Sequence, residues 1–364
     1  MPRDDYAILM GISHYADPGF PPLEGPPRDV ARFHQWLLDP QGGDVDPTHI
    51  TSIVSPTPPP QVDPDQTPPT FVDFQSKFKQ LITGGGSNIQ YHSDSRLYLY
   101  FSGHGFCEYQ NDMPHAAIYA ANASRWAHYN IAGTLFALWA KKAAVFGEIV
   151  LVMDCCRDAE ATKTLSPTFL PAVANLGTAR DVKLFCIYAA PKGGKAQERP
   201  IPELNNQVHS LLTHALLAAF RHAPPDEKGR VTGQIIKGYL EDAWPGVCGD
   251  IPADPPEIYI PPNGDITFFR QPAARLPQKI HLTAWQPGEL LEIYDQRNQL
   301  FASLTLPAEN AVTVILDWAD QTSEPVPINA GTLTIPLPAG FYRLSLATGA
   351  KQQLFQAGGA DVEL

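Results

Sequence analysis

"RLYLYFSGHGF" (96–106) is an apolar run that stops at a histidine held between two glycines. A row of Leu, Tyr and Phe with no polar alternation reads as a strand buried on both faces. His104 therefore stands at its mouth, a titratable side chain with no bulky neighbour in the chain. "EIVLVMD" (148–154) is a second run of the same kind, and it ends at Cys155 and Cys156. The spacing predicts a helix over 131–147 between them. A single right-handed crossover would set the two strands side by side, about 4.8 Å apart. In an open parallel sheet the reactive groups collect at the carboxyl ends of the strands, so the sulfur and the imidazole should be able to touch.

Outward from this pair the same alternation continues. Strands are predicted at 6–12, 49–54 and 181–190, and helices at 28–39, 71–83, 207–223 and 232–244. The expected fold class is α/β: a mainly parallel sheet sandwiched by helices. Two proline-rich stretches, 55–70 and 251–265, read as extended, solvated connections. From about residue 273 short alternating strands follow one another with turn residues and no helix, the pattern of a small antiparallel sandwich. Two domains are expected, 1–270 and 271–364, the second a regulatory or interaction module.

Composition narrows the function classes. The 364 residues are 44% hydrophobic, enough for a large core. A net charge of −12 gives no field that draws the chain to nucleic acid or anionic lipid, so neither is expected as a partner. No apolar stretch approaches the roughly 20 residues of a membrane span, and "MPRDDYAILMG" is unlike a signal peptide. A cytoplasmic location is expected. Five cysteines, two of them adjacent, make a poor disulfide framework and suit a reducing compartment.

A thiol beside an imidazole is a nucleophile with its own base, and it needs no metal or cofactor to attack an amide carbonyl. Gly103 and Gly105 leave room for a substrate backbone. The Gly105 N–H, with the N–H of the nucleophilic cysteine, is placed to meet the developing oxyanion. "D-C-C-R" (154–157), "S-G-H-G" (102–105) and the opening strand, loop and helix of 7–37 together resemble the caspase, metacaspase and orthocaspase group of cysteine peptidases. The resemblance covers residues 5 to about 244. It implies that Cys156 is the nucleophile, with Cys155 in the place of a small residue, and that His104 is the general base.

By the same resemblance Asp154, two positions before the nucleophile, and Asp29, at the start of the first helix, form the pocket for the residue before the cut. Two carboxylates there select Arg or Lys and repel an acid. Arg28 is the one neighbour that would spoil this charge if it faced the pocket. Substrates are thus expected to be proteins or peptides with a basic residue before the cut, in a microbial stress, cell-death or phage-defence setting. An upstream protease or a regulatory protein is the expected activator. Lys163 and Arg180, in the long segment 157–180, are the expected processing sites of a zymogen. No cofactor is called for; no acidic cluster matches a calcium site, and calcium activation is left open. The residues after Cys156, Arg157 and Asp158, depart from the metacaspase pattern and predict a differently bent loop.

Other readings compete. His104, Cys107, Cys155 and Cys156 have the ligand count of a structural zinc site, although adjacent cysteines rarely both reach one tetrahedral ion. A catalytically inactive scaffold acting through its sandwich is the third reading. His209 and His214 lie five apart on the expected helix 207–223, the wrong spacing for a shared metal face. His14 and His115 are candidates for the cleft edge, and Cys186 and Cys248 read as packed thiols.

Overall fold

The structure is a computed structural model, and it describes residues 4–108, 115–160, 163–168, 170–171, 175, 177–226, 228–262, 264–270, 275–282, 286–295, 298–308, 311–319, 322–338, 341–346, 352–357 and 359–363. The chain divides into two compact units, 1–224 with 231–269, and 225–230 with 270–364.

The first unit is built on β1 (Tyr6–Gly11), α1 (Gly25–Leu38), β2 (Ile50–Val54), α2 (Phe71–Thr83) and β3 (His92–Ser102). There follow β4 (Gly105–Glu108), β5 (Ala117–Tyr119), β6 (Asn130–Ile131), α3 (Gly133–Ala143), β7 (Phe146–Asp154), β8 (Asp158–Glu160) and β9 (Lys183–Tyr188). Next are β10 (Glu198–Ile201), β11 (Gln207–Ser210), α4 (Leu211–His222), β12 (Arg230–Thr232), α5 (Gly233–Cys248), β13 (Glu257–Tyr259) and β14 (Thr267–Arg270). The main sheet has the order β13-β9-β7-β3-β1-β2, parallel except for the antiparallel edge strand β13. The expected α/β class is the observed one.

Both faces of this sheet are covered, which is why its strands read as unbroken apolar runs. Tyr98, Tyr100, Val150 and Val152 point into one core with α1, α4 and α5, where Phe33, Leu216 and Ile236 meet them. Leu97, Leu99, Phe101, Ile149 and Leu151 point into the other, with Phe74 and Phe78 of α2 and Phe136 of α3. Alternate residues therefore serve opposite cores, as the two-residue period of a strand requires.

Two expected helices are shorter than their apolar pattern. The predicted 131–147 begins at Gly133 and ends at Ala143, because Ala144 turns the chain in the left-handed region and Phe146 already belongs to β7. The predicted 207–223 begins only at Leu211. Residues 207–210 pair antiparallel with β10, and Ser210 caps the helix by accepting the N–H of Leu212 and of Thr213. His209 is thus on a strand and not on a helix shared with His214. A four-stranded sheet, β6-β5-β4-β8, lies in the stretch after His104 that carries no clear period in the sequence.

The second unit holds β15 (Arg275–His281), β16 (Leu290–Asp295), β17 (Leu300–Thr305), β18 (Thr313–Trp318), β19 (Ser323–Asn329), β20 (Thr332–Pro338), β21 (Phe341–Leu346), β22 (Gln352–Gln356) and β23 (Val362–Glu363). They run in the order β22-β21-β16-β17-β18-β19-β20-β15-β23 around one core of Leu291, Leu316, Ile335 and Leu344. The sheet folds over itself into the expected β-sandwich. In β19, Pro325 and Pro327 lie where the strand pairs with β18, before it meets β20 at Ile328. Proline is tolerated on such a one-sided stretch. Among the described residues no helix is long and apolar enough to cross a membrane.

Candidate active site

Ser102 and Asp154 are register partners at the ends of β3 and β7. His104 and Cys156 each follow two residues later, so the two chains leave the sheet at one level. Both line a cleft with about 440 Å³ of empty space, and Asp29, Asp154, Glu198 and Ser210 line it too. Four sequence candidates, His104, Cys156, Asp29 and Asp154, thus meet in one depression. Arg28 is turned away, its guanidinium on Glu24 Oε2 at 3.2 Å and on Val208 O at 3.3 Å. His14 and His115 do not line the cleft; His14 Nδ1 meets Ser13 Oγ at 2.7 Å, and His115 is buried.

The imidazole is held from two sides. Its Nε2 lies 2.8 Å from Pro21 O. A carbonyl oxygen only accepts, so Nε2 carries the proton and a neutral ring keeps its lone pair on Nδ1. The backbone N–H of His104 donates to Tyr15 Oη at 2.8 Å, and the Tyr15 and Phe20 rings lie 5.1 and 5.9 Å from the imidazole. Burial raises the Tyr15 phenol, so it stays a neutral hydrogen-bonding group. Pro21, Tyr15 and Phe20 gave no signal in the sequence beyond lying in the first loop.

The thiols have separate surroundings. Cys156 donates weakly to Ala196 O at 3.8 Å, and its N–H has no hydrogen-bond partner among the described residues. Burial pushes the Cys156 thiol up, and the carboxylates of Asp158 and Asp154 add to this. Cys155 is 1% exposed and faces Ala117 O, 3.9 Å away. Cys107 donates to Arg157 O at 3.1 Å. Among the described residues no group of three or more His, Cys, Asp or Glu side chains is arranged to hold a metal ion, the four residues of the zinc reading included.

The glycines beside His104 serve the protein's own packing. A Cβ on Gly105 would lie 2.6 Å from both Ala117 O and Cys155 Sγ, and one on Gly103 would lie 2.8 Å from Tyr15 Oη. The room expected for a substrate backbone at these two side-chain positions is filled from within the chain.

Arg157 explains the departure after Cys156. Its side chain is 2% exposed and bonds to His115 O at 3.2 Å, to Ala190 O at 3.1 Å and to Glu257, with its guanidinium 4.6 Å from the centre of the Tyr188 ring. Its own N–H donates to Gly194 O at 3.0 Å and its C=O accepts from Gly193 N–H at 2.9 Å. The residue next to Cys156 is therefore a buried peg that ties the loop after β7 to β9 and β13.

Asp29 is fully buried, and Asp154 is 4% exposed. Asp29 Oδ1 lies 2.7 Å from His209 Nδ1, and its Oδ2 accepts Ser210 N–H at 3.0 Å. Asp154 Oδ1 accepts Ser210 Oγ at 2.6 Å, and Oδ2 accepts Thr213 Oγ1 at 2.5 Å and Tyr100 Oη at 3.5 Å. Burial raises both carboxyls, Asp154 to about 7, with Asp29 as the next contributor. Ser210 thus joins the two acids, backbone to one and hydroxyl to the other. His209 and Ser210 escape sequence reading because the apolar pattern of 207–223 reads as one helix; the cue is the serine, a good N-cap, inside that run.

Lys163 lies with its ammonium 5.7 and 5.2 Å from the centres of the Phe106 and Tyr119 rings, and Leu165 N–H donates to Glu108 Oε1 at 2.9 Å. Arg180 is exposed at the end of a short 3₁₀ turn, Thr178–Arg180. Residues 161, 162, 169, 172–174 and 176 of this segment lie outside the described residues.

A thiol and an imidazole at adjoining strand ends, lining one cleft with two buried carboxylates, fit one class: α/β proteins of the cysteine-peptidase kind. Residues 4–235 match the family model described as a caspase domain, and the chain belongs to that family. Its members are cysteine peptidases, hydrolases that act on protein substrates. No curated protein sequence matches the chain. Among solved structures, caspase-1 from Spodoptera frugiperda superposes on 74% of this chain and 91% of its own, with a TM-score of 0.47 and 12% identity.

Proposed function

We propose that this chain is a cysteine endopeptidase that cuts proteins after arginine or lysine, with Cys156 as nucleophile and His104 as general base. One observation carries the reading: the cleft lined by Cys156 and His104 is also lined by the buried acids Asp29 and Asp154, and by no Lys or Arg among its described residues. Carboxylates in a partly desolvated pocket attract a cation and exclude an acid. The thiol proton passes to Nδ1 of His104, since Nε2 is engaged by Pro21 O. The sulfur attacks the scissile carbonyl, and the N–H groups of Gly105 and Cys156 meet the oxyanion. The imidazolium then protonates the leaving amine, and water releases the acyl group from sulfur. This chemistry uses neither a metal nor an organic cofactor.

Profiling cut sites in a denatured proteome tests the reading. Wild type should cut after Arg and Lys, and Cys156→Ala should cut nowhere; cuts that persist in the variant, or that follow Asp, rule it out. Intact mass from the same preparation tests self-processing. Cleavage after Arg180 or Lys163 should accompany activation, whereas full activity of the Lys163→Ala/Arg180→Ala chain with unchanged mass removes both as processing sites.

The raised Cys156 thiol makes a further expectation for the resting enzyme. A thiol pushed above its ordinary value of about 8.5 is uncharged at neutrality, so its alkylation by iodoacetamide should still be climbing at about pH 9. Peptide mass spectrometry reads this rate for Cys156 alone. A plateau already reached below about pH 7 would mean a preformed thiolate–imidazolium pair.

A further inference from the structure

We propose that the Tyr15 hydroxyl is a positioning group for the general base: it fixes the main chain of His104, and through it the placement of Nδ1. The inference rests on the reading of His104 and Cys156 as the catalytic pair. Tyr15 lies in the loop between β1 and α1, and its ring is 5.1 Å from the imidazole. Its Oη accepts the His104 N–H at 2.8 Å and donates to Ile12 O at 3.4 Å. Ile12 in turn donates its N–H to Ser102 O at 2.9 Å. A closed circuit results: Ser102 at the end of β3 holds Ile12, Ile12 holds the phenol, and the phenol holds His104 just past the strand.

The phenol reaches this position only because Gly103 has no side chain. A Cβ there would lie 2.8 Å from Tyr15 Oη and 3.3 Å from Ile12 O. The sheets fix the main chain on either side of the His104 amide: Gly103 N–H donates to Asp154 O at 3.3 Å, and His104 O accepts Tyr119 N–H at 2.9 Å. The His104 N–H lies between these two bonds, and Tyr15 is its partner. Burial raises the phenol above its ordinary range, so the hydroxyl carries no charge at neutrality. The same loop also meets the ring, where Pro21 O lies 2.8 Å from Nε2. Pro21 thus sets which nitrogen holds the proton, and Tyr15 sets how the ring is mounted.

A general base must come within hydrogen-bond reach of the proton it takes, and the tilt of the peptide before His104 decides where Nδ1 arrives. A shift of about 1 Å at a reacting atom is enough to cost about a hundredfold in rate. The bond from Nε2 to Pro21 O is a single point of attachment, about which the ring can swing; the hydroxyl supplies the second. Because that hydroxyl is neutral, deleting it changes geometry and leaves the acidity of the imidazole alone.

The test is Tyr15→Phe, which keeps the ring against the imidazole and deletes one oxygen, assayed on a peptide that wild type cleaves. Its kcat should fall by about tenfold to a hundredfold while KM stays within about twofold, because other groups hold the substrate. The acid limb of the kcat–pH profile should move by less than about 0.3 units, since no charge is removed. Iodoacetamide should alkylate Cys156 within about twofold of the wild-type rate, because that reaction reads the thiol and not the placement of the base. A chain that does not fold, or one whose KM and alkylation rate change along with kcat, would assign the hydroxyl to packing of the loop. An unchanged kcat would show that Pro21 O suffices, and a displaced acid limb would show that the phenol tunes the imidazole instead of placing it. Each of these overturns the inference and leaves the Cys156–His104 reading intact, whereas a His104→Ala chain with wild-type kcat overturns that reading and this inference with it.

Discussion

Cys156→Ala should lower kcat/KM on an arginyl peptide by at least about 10³-fold, while Cys155→Ala keeps it within about threefold. The two sulfurs are neighbours in sequence and opposites in setting. Cys156 lies in the cleft with His104, and its backbone N–H has no partner among the described residues. Cys155 faces Ala117 O and fills the space that Gly105 leaves by having no side chain. Burial holds the Cys155 thiol well above its ordinary range, so it is a poor nucleophile. Removing its sulfur costs packing, on the order of 1 kcal/mol, and should appear as a lower Tm and not as lost turnover. Activity that survives in Cys156→Ala and disappears in Cys155→Ala would move the nucleophile one residue back and overturn the mechanism.

Asp154→Asn should cost at least about 10²-fold on basic substrates and yet stabilise the free enzyme at alkaline pH. Asp154 accepts from Ser210, Thr213 and Tyr100, all of them neutral hydroxyls; the nearest charged group to bear on it is Asp29, which repels it. Asp29 has the help that Asp154 lacks, from His209 and from the charge of Arg32. Burial therefore raises the Asp154 carboxyl to about 7. Because the fold favours the protonated acid, this stabilisation is complete below the unfolded value of about 3.9 and is lost as pH rises towards about 7. The loss is on the order of a few kcal/mol for one buried carboxylate.

Asparagine keeps a neutral side chain at every pH. The Tm of Asp154→Asn should match wild type near pH 4 and exceed it by roughly 5 °C at pH 8. A cationic side chain in the pocket stabilises the ionised form, so the wild-type KM for an arginyl peptide should fall as pH rises through about 7. That slope should vanish in the variant. A wild-type KM that is flat from about pH 6 to 8, with a Tm difference independent of pH, would show that Asp154 is already ionised in the free pocket.

Much of this was legible in residue order. The unbroken apolar runs 97–101 and 149–153 required burial on both faces, and burial on both faces required helices above and below a parallel sheet. Once β3 and β7 were neighbours, His104 and Cys156 had to emerge at the same end, because both follow the last residue of a strand by the same two positions. The alternating strands beyond residue 273 announced a sandwich by their two-residue period alone.

What the chain order could not give was the set of groups that meet only through tertiary contact. Pro21 O reaches the imidazole across 83 residues, and His209 and Ser210 reach Asp29 from 180 and 181 residues away. Local periodicity carries no information about such pairs, and at 207–210 it misled: an apolar pattern compatible with a helix became a strand once β10 supplied a ladder and Ser210 a cap. The sequence by itself determined which strands are buried and therefore which ends carry the sulfur and the imidazole, since burial follows from side-chain polarity. Only the tertiary structure decided which ring nitrogen is left to act and how the acids are wired together, since hydrogen bonds depend on positions in space that no spacing along the chain encodes.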